Sequence, residues 1–353
     1  MLSRVNKLEA ALAQTDCDAV LVTNLKNIYY LTSFSGTEAT VFISKNRRIF
    51  LTDSRYTLIA KGVIKGFDII ETRDALSEIA KIIADDKIKT IGFDDEISYH
   101  SFKTLEELFS DYKLTAMTAF IEKLRMIKDE GEIATIRKAC QISDQAFLDV
   151  LDFIKPGQTT ELQVMNFLDT RMRQLGASGA SFDFIIASGY RSAMPHGVAS
   201  EKVIQTGETL TMDFGCYYNH YVSDMTRTIH VGHVTDEERE IYDIVLRSNQ
   251  TLIEAAKAGM TRIEFDQVPR KVINDAGYGQ YFTHGIGHGI GLDIHEIPYF
   301  GKSSEPIEAG MVLTDEPGIY LDGKYGVRIE DDILITETGC ELLTLAPKEL
   351  IVI

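Results

Sequence analysis

Two aspartates in one short stretch set the chemical question. Thr209 to Thr228 reads TLTMDFGCYYNHYVSDMTRT and carries Asp213 and Asp224. The segment is rich in Thr, Met, Phe, Tyr and Val, the composition of strand, turn, strand. With Tyr218-Asn219 as the turn, Asp213 lies directly opposite Asp224. Like charges facing each other across a hairpin destabilise it. The pair calls for a cation, a shared proton, or a pairing one residue out. A second run, Gly310 to Thr336, repeats the problem: GMVLTDEPGIYLDGKYGVRIEDDILIT. It turns at Asp322-Gly323 and sets Glu316 nearly opposite Glu330, within the slack of one bulged residue.

Between these runs Thr283 to Glu296, THGIGHGIGLDIHE, carries His284, His288 and His295. Its closely spaced glycines disfavour a helix, which excludes a helical zinc pair from His284 and His288. His295-Glu296 has no second histidine three residues beyond the glutamate, so the HExxH pattern is absent too. In an extended chain His284 and His288 fall on one face, and the glycines suit backbone passing close to a ligand or another strand. A lone histidine is most often structural, and one pair of facing carboxylates is most often a surface ladder. Three histidines in twelve residues together with two carboxylate pairs fit a single metal-rich site better.

Asp213, Asp224, His288, Glu316 and Glu330 are too many ligands for one small ion with an open position. They suit two ions bridged by carboxylates. Four carboxylates to one imidazole is an oxygen-rich set, favouring Mn2+ or Co2+ over a structural zinc. Two ions about 3.5–4 Å apart share a water and lower its pKa towards neutrality. Hydrolysis is the reaction class this predicts.

The elements that must position these residues follow from periodicity. Helical spacing predicts a helix over Leu2 to Gln14 and a short buried strand over Asp18 to Thr23. Asn27 to Phe34 reads as aromatic and turn-like. Strands are predicted over Ala39 to Ser44, Arg48 to Thr52, Phe67 to Glu71 and Thr90 to Phe93. Helices are predicted up to about Lys65, over Ala75 to Ala84 and over His100 to Phe109. This alternation indicates an α/β domain with a mixed sheet, ending near Phe120 to Met126. A long helix then opens at Lys128-Asp129-Glu130 and stops at Pro156-Gly157. A second covers Glu161 to Leu175, and a strand covers Phe184 to Ala187. After the aspartate hairpin come helices over Glu237 to Ala258 and Arg262 to Ala276. Two helices and a hairpin, then two helices and more strands, looks like a duplicated α+β unit.

Composition narrows the class. A chain of 353 residues exceeds one ordinary core, which predicts two domains. The 44% hydrophobic and 25% charged content is that of a soluble protein. A net charge of −17 argues against a nucleic-acid or acidic-membrane partner. Cys17, Cys140, Cys216 and Cys340 are isolated, without a CxxC, and are expected as free thiols in a reducing compartment. The N-terminal run lacks an apolar core and a cleavage site, and no apolar run has membrane-span length. A cytoplasmic protein is expected.

The contexts MDFG, SDMTRT, GHGIG, EPG and RIEDD around the five ligands resemble the metal signature of the pita-bread metallopeptidases. Length, the additional N-terminal domain and the run HGIGHGIGLDIHE narrow the resemblance to the Xaa-Pro branch, aminopeptidase P and prolidase. It extends over essentially the whole chain, through NIYYLTSFSGT and LTDSRY in the N-terminal domain. It implies a creatinase N-terminal-like α/β domain with a mixed sheet over residues 1–125. An α+β pita-bread catalytic domain follows over residues 126–353.

The resemblance also implies roles. Asp213 would chelate one metal, His288 and Glu316 the other, with Asp224 and Glu330 bridging. Mn2+ is the expected ion, with Co2+ or Zn2+ as alternatives. Glu316 would be the general base, His196 in MPHG would meet the scissile carbonyl, and His295 would hydrogen-bond substrate. His284 would line the proline-side pocket, and Arg328, on the strand face of Glu330, would orient carboxylates. Tyr29, Asp53 and Arg55 are candidates for limiting substrate length. The substrates would be proline-containing peptides and the assembly a homodimer. Two departures stand out. Asp315 sits where relatives carry an apolar residue. Tyr299 sits where some prolidases place an arginine for a dipeptide's free carboxylate. Tyr299 therefore favours an Xaa-Pro aminopeptidase over the alternative, an Xaa-Pro dipeptidase. A non-catalytic peptide-binding relative is a distant third, since such proteins have usually lost metal ligands and all five are present.

Overall fold

Strands β1 (Ala19–Val22), β2 (Thr40–Ser44) and β3 (Arg47–Thr52) are almost wholly buried, as a sheet covered on both faces requires. With β4 (Asp68–Glu71), β5 (Thr90–Phe93) and β6 (Lys113–Ala116) they form a six-stranded sheet ordered β4-β3-β2-β1-β5-β6. The β1-β2 and β2-β3 pairs are antiparallel and the β3-β4, β1-β5 and β5-β6 pairs parallel, so the sheet is mixed. Helices α1 (Leu2–Leu12), α2 (Leu25–Thr32), α3 (Thr57–Val63), α4 (Ala75–Ile83), α5 (Tyr99–Leu108) and α6 (Phe120–Arg125) complete this unit. The computed structural model describes residues 2–84 and 86–353 and divides into two compact units, the first ending at Arg125 and the second spanning Met126–Ile353.

One expectation fails here. The Asn27 to Phe34 run is not turn-like; most of it lies in α2. Asn24 caps that helix by accepting from the backbone N–H groups of Lys26 and Asn27, and Ile28, Tyr30 and Leu31 are buried along it. Neighbouring aromatics masked a helical stripe whose start signal lay three residues upstream.

The second unit begins with α7 (Glu130–Phe153) and α8 (Glu161–Gln174). Both open on a reciprocal capping box, Asp129 with Glu132 and Thr160 with Gln163. The strands β7 (Gly179–Ala180), β8 (Ile185–Ser188), β9 (Thr209–Phe214), β10 (Cys216–Tyr218), β11 (Tyr221–Val222) and β12 (Met225–His230) follow. Helices α9 (Asp236–Ala255) and α10 (Arg262–Asp275) open on the same device, Thr235 with Glu238 and Thr261 with Glu264. The remaining strands are β13 (His288–Gly289), β14 (Glu296–Tyr299), β15 (Val312–Asp315), β16 (Gly318–Leu321), β17 (Tyr325–Arg328), β18 (Asp331–Ile335) and β19 (Cys340–Leu342).

Each helix pair has its own core. Phe147 and Val150 of α7 and Leu168 of α8 pack with Leu210, Met212, Met225 and Ile229 of β9 and β12. Val245 and Leu252 of α9 and Phe265 of α10 pack with Leu313, Ile319, Val327 and Ile333 of β15 to β18. The two halves thus repeat one arrangement of helix pair against hairpin. Among the described residues no helix is long and apolar enough to cross a membrane. Cys17, Cys140, Cys216 and Cys340 are free thiols.

The aspartate hairpin turns one residue later than expected. Asn219 and His220 take positive φ, 45° and 72°, and form the two-residue turn between the paired Tyr218 and Tyr221. Asp213 accordingly faces Thr226, not Asp224. Because the pairing moves by two positions, side-chain parity is unchanged and Asp224 keeps the face of Asp213. The glutamate hairpin turns over three residues, Asp322 to Lys324, between the paired Leu321 and Tyr325, which takes up the one residue of slack. Asp315 pairs with Asp331 on one side of a break and Gly318 with Arg328 on the other, which sets Glu316 across from Glu330. Pro317, with no N–H to give the ladder, sits in that break.

Candidate active site

The two hairpins deliver their carboxylates to one cavity of the second unit, with a volume of about 580 Å3. Asp213, Asp224, His288, Glu316, Glu330, His196, His284, His295, Arg328 and Tyr299 all line it. Asp213 lies one residue before the end of β9, Asp224 precedes β12, Glu316 follows β15 and Glu330 joins β17 to β18. Asp224, His288 and Glu330 are buried and can each place one ligand atom within 4.8 Å of the others. His288 Nε2 lies 3.7 Å from Asp224 Oδ2 and 3.7 Å from Glu316 Oε1. Glycines make this approach possible. A Cβ on Gly289 would lie 2.6 Å from the Ile297 carbonyl oxygen, and one on Gly287 would collide with the Thr314 carbonyl.

These residues fit a cation. Asp213 Oδ1 and Asp224 Oδ1 are buried with no hydrogen-bond partner. His288 Nδ1 faces the Gly289 carbonyl oxygen at 3.1 Å, and a carbonyl can only accept. The proton therefore sits on Nδ1, leaving the Nε2 lone pair turned to the carboxylates, as a metal-ligating imidazole requires. Burial, with His295 beside it, holds His288 down to about 4, so it is neutral. Burial first, then the charges of Glu330 and Asp213, pushes Asp224 well above the carboxylate range. Glu330 is raised by burial and by Glu316, and burial with Asp213 pushes Glu316 up to about 8. Without a cation, this many carboxylates cannot all ionise together.

Comparison with known proteins agrees with this geometry. The model of metallopeptidase family M24 matches residues 134–337, and that of the creatinase/prolidase N-terminal domain matches residues 4–127. The chain belongs to metallopeptidase family M24. Such a family member works with divalent metal ions. The chain is 44% identical to a solved structure of an Xaa-Pro dipeptidase from Bacillus anthracis. That match has a TM-score of 0.97 and covers 100% of this chain and 99% of the other. An Xaa-Pro dipeptidase of Pyrococcus furiosus is 38% identical over 362 residues, covering 99% of this chain and all of that protein. The structure of an X-Pro aminopeptidase from Thermotoga maritima is 40% identical, with a TM-score of 0.89 and 99% of both chains covered. Its solved relatives share the pita-bread fold.

Around the M24 carboxylates runs a polar frame only partly legible in sequence. Arg328 is buried and spends its guanidinium four ways. It donates to Asp213 Oδ2 at 2.6 Å, the Tyr320 hydroxyl at 2.8 Å, Thr226 Oγ1 at 3.0 Å and the Pro195 carbonyl at 3.2 Å. Thr226 Oγ1 in turn donates to Glu330 Oε2 at 2.6 Å. Tyr320 belongs to the same frame. Its oxygen lies 2.8 Å from His284 Nε2, while His284 Nδ1 lies 2.8 Å from the Gly285 carbonyl. The carbonyl fixes the proton on Nδ1, so Tyr320 donates to Nε2 and accepts from Arg328. Spacing gave no sign of this, because tyrosine on a buried strand is ordinary core. His284 Nδ1 also comes within 3.8 Å of Glu316 Oε2, and the His295 ring packs 4.3 Å from that of His288.

Asp315 does not line the cavity. It faces Asp331 across the β15-β18 ladder, and its Oδ2 accepts from Asn249 of α9 at 3.1 Å. Burial, then Asp331, drives its carboxyl far upward. Burial acts the same way on Asp331, but Arg227 and Lys348 outweigh it and hold that group at about 2. Asp315 therefore belongs to a buried polar layer behind the site. In the first unit, Asp53 is buried and accepts the Arg55 guanidinium at 2.5 Å, and Tyr29 lies on α2.

Proposed function

We propose that this chain is an Xaa-Pro dipeptidase, hydrolysing the bond between a first residue and proline with two divalent ions. The convergence of four carboxylates and one imidazole with a free Nε2 on a histidine-walled cavity carries the reading. Whole-length similarity to Xaa-Pro dipeptidases supports the dipeptidase over the aminopeptidase that Tyr299 favours. Asp213 would hold one ion, His288 and Glu316 the other, with Asp224 and Glu330 between them. Mn2+ suits this oxygen-rich set. Such ions, when bound, supply a water of lowered pKa and polarise the scissile carbonyl. Glu316 takes up a proton on a carboxylate oxygen and returns it to the departing proline nitrogen. His196 donates a hydrogen bond where negative charge grows on the carbonyl oxygen. His295 holds the substrate, His284 faces the proline ring, and Arg328 keeps Asp213 turned inward.

The aminopeptidase remains the second reading. Tyr299 is 54% exposed on the cavity wall, and a 40% identical relative is an X-Pro aminopeptidase. A product assay separates the two. Metal-depleted, Mn2+-reconstituted enzyme receives an Xaa-Pro dipeptide and the same sequence extended by two residues. Cleavage of the dipeptide alone is the expected result. Release of only the first residue from the longer peptide would make the protein an aminopeptidase.

Tyr320→Phe removes the donor to His284 Nε2 and touches no proposed metal ligand. It is expected to lower kcat about 10–100-fold with metal content unchanged. Equal kcat would remove Tyr320 from the frame. A part for Tyr29, Asp53 and Arg55 in limiting substrate length has its own check. Arg55→Ala strips the buried Asp53 of the guanidinium and is expected to change the preference among peptide lengths. An unaltered preference would count against the assignment.

A further inference from the structure

We propose that Glu161 is a positioning residue of the reaction, acting from outside the cavity by holding both ends of the loop that presents His196. This rests on His196 as a substrate contact. Glu161 stands in the first turn of α8 with its carboxylate fully buried. Oε1 accepts from the Ser188 N–H at 2.7 Å and the Ser188 hydroxyl at 2.9 Å. Oε2 accepts from Arg191 Nε at 3.0 Å, the Ser200 N–H at 3.1 Å and the Ser200 hydroxyl at 2.6 Å. Each of these five donors belongs to the segment flanking His196, and they approach from both sides of it in sequence.

Arg191 adds a tie across the loop, donating to the Val198 carbonyl at 2.6 Å. The tip is held separately, by Arg328 on the Pro195 carbonyl. Packing does little of this work, because Tyr190, Met194 and Val198 are 54%, 46% and 58% exposed. A loop with so little buried apolar surface opens easily unless polar ties close it. A carboxylate out of water is costly unless every lone pair is used. Here the loop's own donors use them, so the buried charge and the loop geometry depend on each other. Displacing His196 by about 1 Å is enough to cost about 10²-fold in rate.

The test is a double-mutant cycle on the Mn2+-loaded enzyme with an Xaa-Pro dipeptide. Glu161→Gln keeps the size but turns one acceptor into a donor facing donors. It is expected to lower kcat/KM about 10–100-fold with wild-type metal content. In a His196→Ala background it is expected to lower it less than about twofold, because the group it positions is gone. Additive losses, or kcat/KM within twofold of wild type, would overturn the proposal. If Glu161→Gln does not fold, Ser200→Ala is carried through the same cycle with the same criteria. If the wild type cleaves no Xaa-Pro bond, the functional reading fails separately, and amide hydrogen exchange decides on Glu161. Faster exchange over residues 189–199, with β9 and β12 unchanged, supports the buckle, and equal exchange there overturns it.

Discussion

Asp224→Asn is expected to be more stable than wild type when both are stripped of metal, less stable when both are saturated, and inactive in either state. The inversion follows from charge. Asp224 is buried beside Glu330 and Asp213, with one of its oxygens unpartnered. Without metal Asp224 must take up a proton to stay buried there, and Asn, which is neutral already, spares the protein that cost, on the order of 1–3 kcal/mol. The same change removes a proposed ligand, and with it the stabilisation that binding supplies, about 2.7 kcal/mol per site at a hundredfold excess over Kd. Losing several kcal/mol of charge stabilisation lowers kcat by at least about 10²–10³-fold. Thermal unfolding with and without chelator, alongside metal analysis and activity, checks all three. Wild-type activity at wild-type metal loading would sink the two-metal assignment.

The pH dependence of the metal-free protein carries the same signature. Burial raises Glu316 and Asp332 to about 8 in the folded chain, far above their unfolded values. A raised pKa means the folded state holds more protons, so stability falls as pH rises through that range. His284 and His288, held near 4 chiefly by burial, act in the opposite sense below their unfolded value of about 6.5. The histidines' opposition fades above about pH 6.5, so the carboxylates dominate towards pH 8, and the metal-free protein is expected to lose stability across that window. Saturating Mn2+ is expected to flatten the slope. A metal-free protein equally stable at both ends would show the carboxylates to be less desolvated than their burial implies.

Arg328→Met is expected to be the most damaging single change to the frame. Arg328 joins the first hairpin to the second through Asp213, Thr226 and Tyr320, and carries the Pro195 carbonyl besides. Removing one partner of a buried pair costs about 3–5 kcal/mol, because the other charge remains buried and uncompensated. Arg328→Lys is expected to recover little. One ammonium cannot reach four acceptors spread around a planar fork. Denaturant unfolding of both variants with metal present checks this. A lysine variant within about 1 kcal/mol of wild type would mean that charge alone, not the fork, is what the site uses.

Much of this protein is legible from residue type and spacing. Capping residues such as Thr160, Thr235 and Thr261 mark helix starts directly, because a helix start is a local problem with a local solution. The face shared by Asp213 and Asp224 survived a wrong turn assignment, because strand alternation forgives a shift of two. Helix α2 is hidden for an equally local reason: its cap, Asn24, lies outside the aromatic run Asn27 to Phe34.

Sequence by itself pointed to the proposed ligand set and determined the hairpins that carry it, the two-part division of the chain and the class of chemistry. Each of these is encoded in neighbouring residues or in a periodicity of two or 3.6. The tertiary structure alone decided which atoms face which. It turned His288 Nε2 to the carboxylates through the Gly289 carbonyl and placed Tyr320 between Arg328 and His284. It put Asp315 behind the site against Asn249, and used Glu161 to tie down a loop some forty residues further along the chain. Those are contacts between residues distant in sequence. Their geometry is set by how two packed cores bring two hairpins together, and no local pattern records that.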